Sequence, residues 1–118
     1  MLQEGVRIQN ADQAVIEPAK LYGYLLAPSH PIGRFKAAFF LSLGYTPDNW
    51  RRLELDLRSQ HLSQEAMPEA PAMYGQKYTI RARLEGPLGA SADTVSVWVV
   101  RTGEDFPRFV TAYPEGSR

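Results

Sequence analysis

The segment His30-Pro31-Ile32-Gly33-Arg34-Phe35-Lys36-Ala37-Ala38-Phe39-Phe40 puts one of only two histidines at the head of an apolar helix that also carries two cations. Pro31 suits the first helical position, and Ser29 or His30 can supply the cap. The N–H groups and positive dipole end of such a terminus favour a phosphate or a carboxylate. At helical spacing Ile32, Phe35 and Phe39 form one face, expected to be the core face, with His30, Gly33 and Ala37 opposite. Arg34 lies on the side of His30, and Lys36 sits about 120° from His30. Because the helix is apolar nearly all round, Arg34 or Lys36 is expected to be partly buried, and such a charge is paired or aimed at a ligand. The structural alternative is that His30 is a cap, Arg34 and Lys36 pair with carboxylates of the following helix, and Gly33 only permits close packing.

Two further groups of residues suit the same anion. Lys77, Thr79, Arg81 and Arg83 alternate with Tyr78, Ile80, Ala82 and Leu84, so three cations share one strand face and can follow a phosphate backbone or simply be solvated. In the last strand Phe109, Thr111 and Tyr113 are expected on one side and Arg108, Val110 and Ala112 on the other. Attack of an RNA 2′-hydroxyl on its neighbouring phosphate would use these parts, since it needs a proton acceptor, a proton donor and groups that stabilise the phosphorane oxygens. Histidine suits either proton role. Lys36, Lys77, Arg34 or Arg81 would bind the phosphate, and Thr111 and Tyr113 would orient it. His61, at a helix end, reads as a cap or packing residue.

Composition narrows the classes. The 118 residues suffice for one domain over 1–118, with a helical half at about 17–62 and a sheet half at about 72–114. Zero cysteines remove disulfides, thiolate catalysis and cysteine-bound metals, and two histidines without an acidic motif speak against a metal site, so no cofactor is expected. There is no apolar run of membrane-spanning length and no signal-peptide pattern, which makes the cytoplasm the expected location. Lys plus Arg number 13, as do Asp plus Glu, so any nucleic-acid site must be a local patch.

The elements that would hold these residues follow from periodicity. Glu17-Pro18 opens a helix over Ala19 to Ala27, a second runs from about Pro31 to Leu43 and stops at Gly44, and a third covers roughly Asp48 to His61. After a loop over Ser63 to Pro71, strands are expected at Lys77 to Leu84, Thr94 to Arg101, and Phe106 or Arg108 to Tyr113. Helices first and strands after predict an α+β domain, N-terminal helices packed on a C-terminal antiparallel sheet of three or four strands. Trp50, Leu53, Tyr78, Ile80, Val97 and Val99 are expected between the layers, with Trp98 on the other sheet face.

The runs KLYGYLLAPSHPIGRFKAAFFLSLGYTPDNW, YGQKY and SVWVVRTGEDFPRFVTAYP resemble a small bacterial domain family of unassigned activity, over Ala14 to Pro114. That family is found as stand-alone proteins and at the C-terminus of polymorphic-toxin or phage-head proteins. Its layout is similar to the barnase, EndoU, colicin and RelE-like ribonuclease fold. The resemblance implies a small cognate antitoxin or immunity protein as partner and leaves the reaction open; with the residues above, the leading expectation is a toxin-type, metal-independent endoribonuclease with RNA as substrate. Its alternative is a non-enzymatic binding module or the neutralising partner itself. Carried over by residue, the resemblance favours His30, Gly33, Lys36, Lys77, Thr111 and Tyr113; together with the reading of the residues above, His30, Lys36, Lys77, Thr111 and Tyr113 are expected to be catalytic, with Gly33, Arg34 and Arg81 binding substrate.

Overall fold

The computed structural model describes residues 5–30 and 34–116. Three short helices, α1 (Pro18–Lys20), α2 (Arg34–Ser42) and α3 (Trp50–Asp56), precede four strands, β1 (Met67–Pro68), β2 (Gly75–Glu85), β3 (Ser91–Arg101) and β4 (Pro107–Pro114). The strands lie in the order β1-β2-β3-β4 and pair antiparallel throughout, as the short connections require. The protein is therefore α+β, with N-terminal helices on a C-terminal antiparallel sheet. Wider π-helical turns at Leu21–Leu25 and Leu57–His61 extend α1 and α3. Among the described residues no helix is long and apolar enough to cross a membrane.

Register decides which side chains meet the helices. Tyr78 lies opposite Trp98, and Trp98 opposite Phe109, so these three share the inner face with Ile80 and Leu84. The wholly buried Trp98 packs edge-on against Phe109 at 5.1 Å. The expectation that Val97 and Val99 face the helices and Trp98 the other side is thus reversed. In a strand that is apolar on both faces, alternation separates two sets of residues without saying which one meets the core. Leu53 and Ile80 are fully buried as expected, with Trp50 and Tyr78 half-buried against the same cluster.

α2 shows a similar inversion. Among the described side chains of α2, Ala37 and Phe40 are fully buried and Phe39 is half-buried against the core, so Ala37, expected to face outward, is enclosed, while the Ile32 and Phe35 side chains lie outside the described residues. A helix apolar nearly all round gives no phase to its periodicity. Gly44 ends the helix segment in the left-handed region at φ 98°, and Tyr45 behind it returns to donate to the Phe40 carbonyl at 3.1 Å.

β4 carries the irregularity that matters most. Val97 lies opposite Thr111 while Trp98 lies opposite Phe109, so Val110 is an extra residue, a β-bulge. Phe109 therefore points into the core, Thr111 and Tyr113 turn to the opposite face, and Ala112 returns to the core. Phe109 does not share a side with Thr111 and Tyr113, because the bulge breaks the alternation that placed them together.

An N-terminal arm spans the sheet from edge to edge. Val6 bridges Ala66 beside β1, and Val15 runs parallel to Arg108 on β4, with Ile8, Ala14 and Ile16 buried between the ends.

His61 is fully buried, the packing residue of its two expected roles. Its Nδ1 lies 2.7 Å from Ser96 Oγ, which also accepts from the Trp98 indole N–H at 2.8 Å, while Nε2 has no hydrogen-bond partner. Burial pushes the imidazole down to about 4, against a smaller opposing pull from the Ala82 backbone. Above about pH 6.5 the ring is neutral folded and unfolded alike. As pH falls from there towards 4, only the unfolded chain takes up the proton, so stability is lost over that window by up to roughly 3 kcal/mol. Urea unfolding at pH 7.5 and pH 4.5 should show this loss, and His61→Leu should remove most of its pH dependence.

The β2–β3 turn offers a second test. A side chain at Gly86 would strike the Leu43 carbonyl at the end of α2. Gly86→Ala should therefore cost about 1–3 kcal/mol by thermal unfolding, through displaced backbone rather than lost contacts.

Candidate functional site

The apolar helical segments leave two lysines with a reason to be where they are. Leu21 and Leu25 are buried, which turns Lys20 and Tyr24, one turn apart, to the other side of the first helical segment. On α2, Lys36 stands beside Ala37 and Phe40 and is half-buried. It donates to Tyr24 Oη at 3.1 Å and to Thr111 Oγ1 at 3.0 Å. Its ammonium is 5.2 Å from the centre of the Tyr24 ring, so at 3.1 Å from Oη it sits at the hydroxyl end of that ring rather than over its face. Tyr113 approaches from β4 with its ring centre 5.9 Å away, at the outer limit of a cation–π contact.

Lys20 donates to the Phe109 carbonyl at 2.9 Å, the residue before the bulge. Lys20, Tyr24, Lys36, Val110 and Thr111 together line an open cleft of about 440 Å³. His30 joins through Tyr24, its half-buried ring meeting the phenol edge-on at 5.1 Å between centres. Among the described residues no carboxylate forms an ion pair with Lys20 or Lys36. The acids of α3 are committed elsewhere. Glu54 pairs with Arg58, while Asp56 accepts from Arg52 and from the buried Tyr45 hydroxyl at 2.7 Å. Burial and that adjacent carboxylate hold the Tyr45 phenol far above its ordinary value, so it stays protonated.

Lys77, Arg81 and Arg83 lie apart from this cleft. Lys77 is on β2, its ammonium 5.4 Å from the Tyr74 ring centre, and β3 separates it from β4. Arg81 shares the outer sheet face with Tyr113 across Val95, but its charge is directed to Glu115 at 3.9 Å. Arg83 pairs with Asp93. Arg34 opens α2, and Gly33 lies outside the described residues, as does Pro31. A smaller cleft of about 190 Å³ beside Asp12 and Arg58 offers less chemistry, because Arg58 is occupied by Glu54 and the Ala14 carbonyl. Among the described residues no cluster of three or more His, Asp or Glu side chains is placed to hold a metal ion.

Lys20 and Tyr24 are the site residues that reading the sequence missed. Their signal was a lysine and a tyrosine one turn apart on a helix whose other side is leucine, the same pattern of an unexplained polar face that drew attention to Lys36.

Comparison with known proteins bears on the fold. A chain of a contact-dependent growth inhibition toxin–immunity protein complex from Klebsiella pneumoniae 342 is similar in structure, with a TM-score of 0.59 and 18% identity over 86% of this chain and 99% of that one. At that identity the likeness establishes a shared fold. None of the curated proteins matches in sequence. A family model described as a domain of unknown function (DUF6883) matches residues 7–116, so the chain belongs to that family.

Proposed function

We propose that the protein is a toxin-type, metal-independent endoribonuclease whose phosphate site is the cleft between Lys36 and Thr111. The observation that carries this reading is the direction of the hydrogen bonds. Lys36 donates to the oxygens of both Tyr24 and Thr111, which leaves each hydroxyl hydrogen available to a ligand. The cleft thus offers a cation and two hydroxyl donors without a carboxylate among them, an arrangement suited to a phosphodiester.

In the reaction the 2′-oxygen attacks phosphorus, and the bond from phosphorus to the 5′-oxygen breaks. The products are a 2′,3′-cyclic phosphate and a free 5′-hydroxyl. One group takes the 2′-hydroxyl proton and another protonates the leaving oxygen. His30, against Tyr24 at the cleft, takes one of these roles. Lys36 neutralises charge gathering on the phosphorane, Thr111 orients the phosphate, and Tyr113 flanks it. Lys77 and Arg81 are assigned to more distant phosphates of the strand, with Gly33 and Arg34 at the head of α2 as auxiliary substrate contacts.

A zero net charge and the likeness in fold to one chain of a toxin–immunity complex favour a second reading, the neutralising member of such a pair. Under either reading a small cognate protein is the expected partner. Incubation of purified protein with total RNA in EDTA separates them, because only the first reading yields cyclic-phosphate ends.

His30→Ala should lower cleavage by about 10²–10⁴ while the protein stays folded, the range for loss of a proton-transfer group. Undiminished activity in that variant would eliminate the mechanism. Lys36→Met should abolish phosphate binding yet change unfolding free energy by only about 1 kcal/mol, since it removes two bonds to hydroxyls that water can replace and strands no carboxylate.

A further inference from the structure

We infer that Lys20 forms a second phosphate subsite, so that the cleft recognises two consecutive phosphates of one RNA strand. This deepens the ribonuclease reading and rests on it. Lys20 and Lys36 come from different helices and line one cleft on either side of the bulge residue Val110. Among the described residues each is bound to neutral oxygen acceptors, the Phe109 carbonyl for Lys20 and two hydroxyls for Lys36. Two ammonium groups on one cleft repel, and among the described residues no ion pair offsets either charge. A ligand carrying two negative charges removes that repulsion.

Donor counting points the same way. An ammonium has three N–H donors; Lys20 uses one on Phe109 and Lys36 uses two on its hydroxyls. Among the described residues two donors on Lys20 and one on Lys36 remain, beside the hydroxyl hydrogens of Tyr24 and Thr111. The Lys36 end, with both hydroxyls, surrounds a single phosphate and suits the one that reacts. The Lys20 end has charge and donors but neither of those hydroxyls, which suits a phosphate that is held and left intact. The bulge determines the pairing, because the carbonyl that anchors Lys20 belongs to Phe109 and the hydroxyl that meets Lys36 belongs to Thr111, two residues on.

The test uses uncleavable 2′-deoxy ligands, a dinucleotide with one phosphate and a trinucleotide with two, bound to the full chain and to Lys20→Gln. Glutamine keeps a donor for the Phe109 carbonyl and removes the charge, and urea unfolding checks that the variant is intact. Wild type should bind the trinucleotide at least tenfold more tightly than the dinucleotide, and Lys20→Gln should lose about tenfold on the trinucleotide alone, as for one charge-assisted hydrogen bond. The salt slope for the trinucleotide should fall by about 0.7 in that variant. Lys20→Arg should restore most of the affinity. In cleavage of a trinucleotide RNA, KM should rise in Lys20→Gln with kcat little changed.

Equal losses on both ligands, or none on either, would overturn the second subsite while leaving the ribonuclease reading intact if wild type still cleaves RNA. Wild type that neither binds the ligands nor cleaves RNA would overturn both.

Discussion

One inserted residue organises the cleft side of the molecule. Val110 sits in β4 where the ladder to β3 has no place for it, and the strand changes face across it. Before it, Phe109 completes the aromatic core against Trp98; after it, Thr111 and Tyr113 come within reach of Lys36. Without the extra residue the alternation would hold Phe109 and Thr111 on one side, and either the core would lose its aromatic ring or the lysine its hydroxyl. The Lys20 ammonium on the Phe109 carbonyl and the Val15 bridge to Arg108 hold the bulged strand along its outer edge.

The protein also keeps two polar groups of residues deep inside its core. Buried Tyr45 and Asp56, the latter paired at the surface with the exposed Arg52, connect the end of α2 to α3, and the Tyr45 hydroxyl lies 3.2 Å from the Glu85 carbonyl on β2. His61, Ser96 and Trp98 connect the turn after α3 to the middle of β3. Buried polar groups contribute little net stability, but they penalise any packing in which their partners are missing. These two therefore fix how the helical layer is set on the sheet. The first also ties up the Asp56 carboxylate, and among the described residues no carboxylate pairs with Lys36.

Much of the fold was legible in the sequence, and the reason is periodicity. The two-residue alternation of Lys77 to Leu84, the leucines of the first and third helices and the glycine at 44 each identify an element and roughly its extent. What failed was phase. Val95 to Val100 and Phe35 to Leu43 are apolar on more than one side, so Trp98 and Ala37 were assigned to the wrong face although both elements were recognised. Local pattern cannot show an extra residue in a ladder either, since a bulge is defined by the partner strand. The site suffered for the same reason. Lys36, Thr111 and Tyr113 carry visible chemistry, whereas Lys20 and Tyr24 become partners of that chemistry only when the first helical segment is laid against β4.

The cleft is built from widely separated parts of the chain. Lys36 and Thr111 are 75 residues apart and Lys20 and Phe109 are 89 apart, while the arm that closes the β4 edge at Val15 meets a residue in the last strand. Contacts of such long sequence separation form slowly, because the entropy of closing the loop precedes any reward from packing. A ribosome that has released only the helices and the first three strands has made none of them. The cleft is therefore incomplete until β4 is synthesised and docked, and a nascent or truncated copy lacks the Phe109 carbonyl and the Thr111 hydroxyl by topology alone.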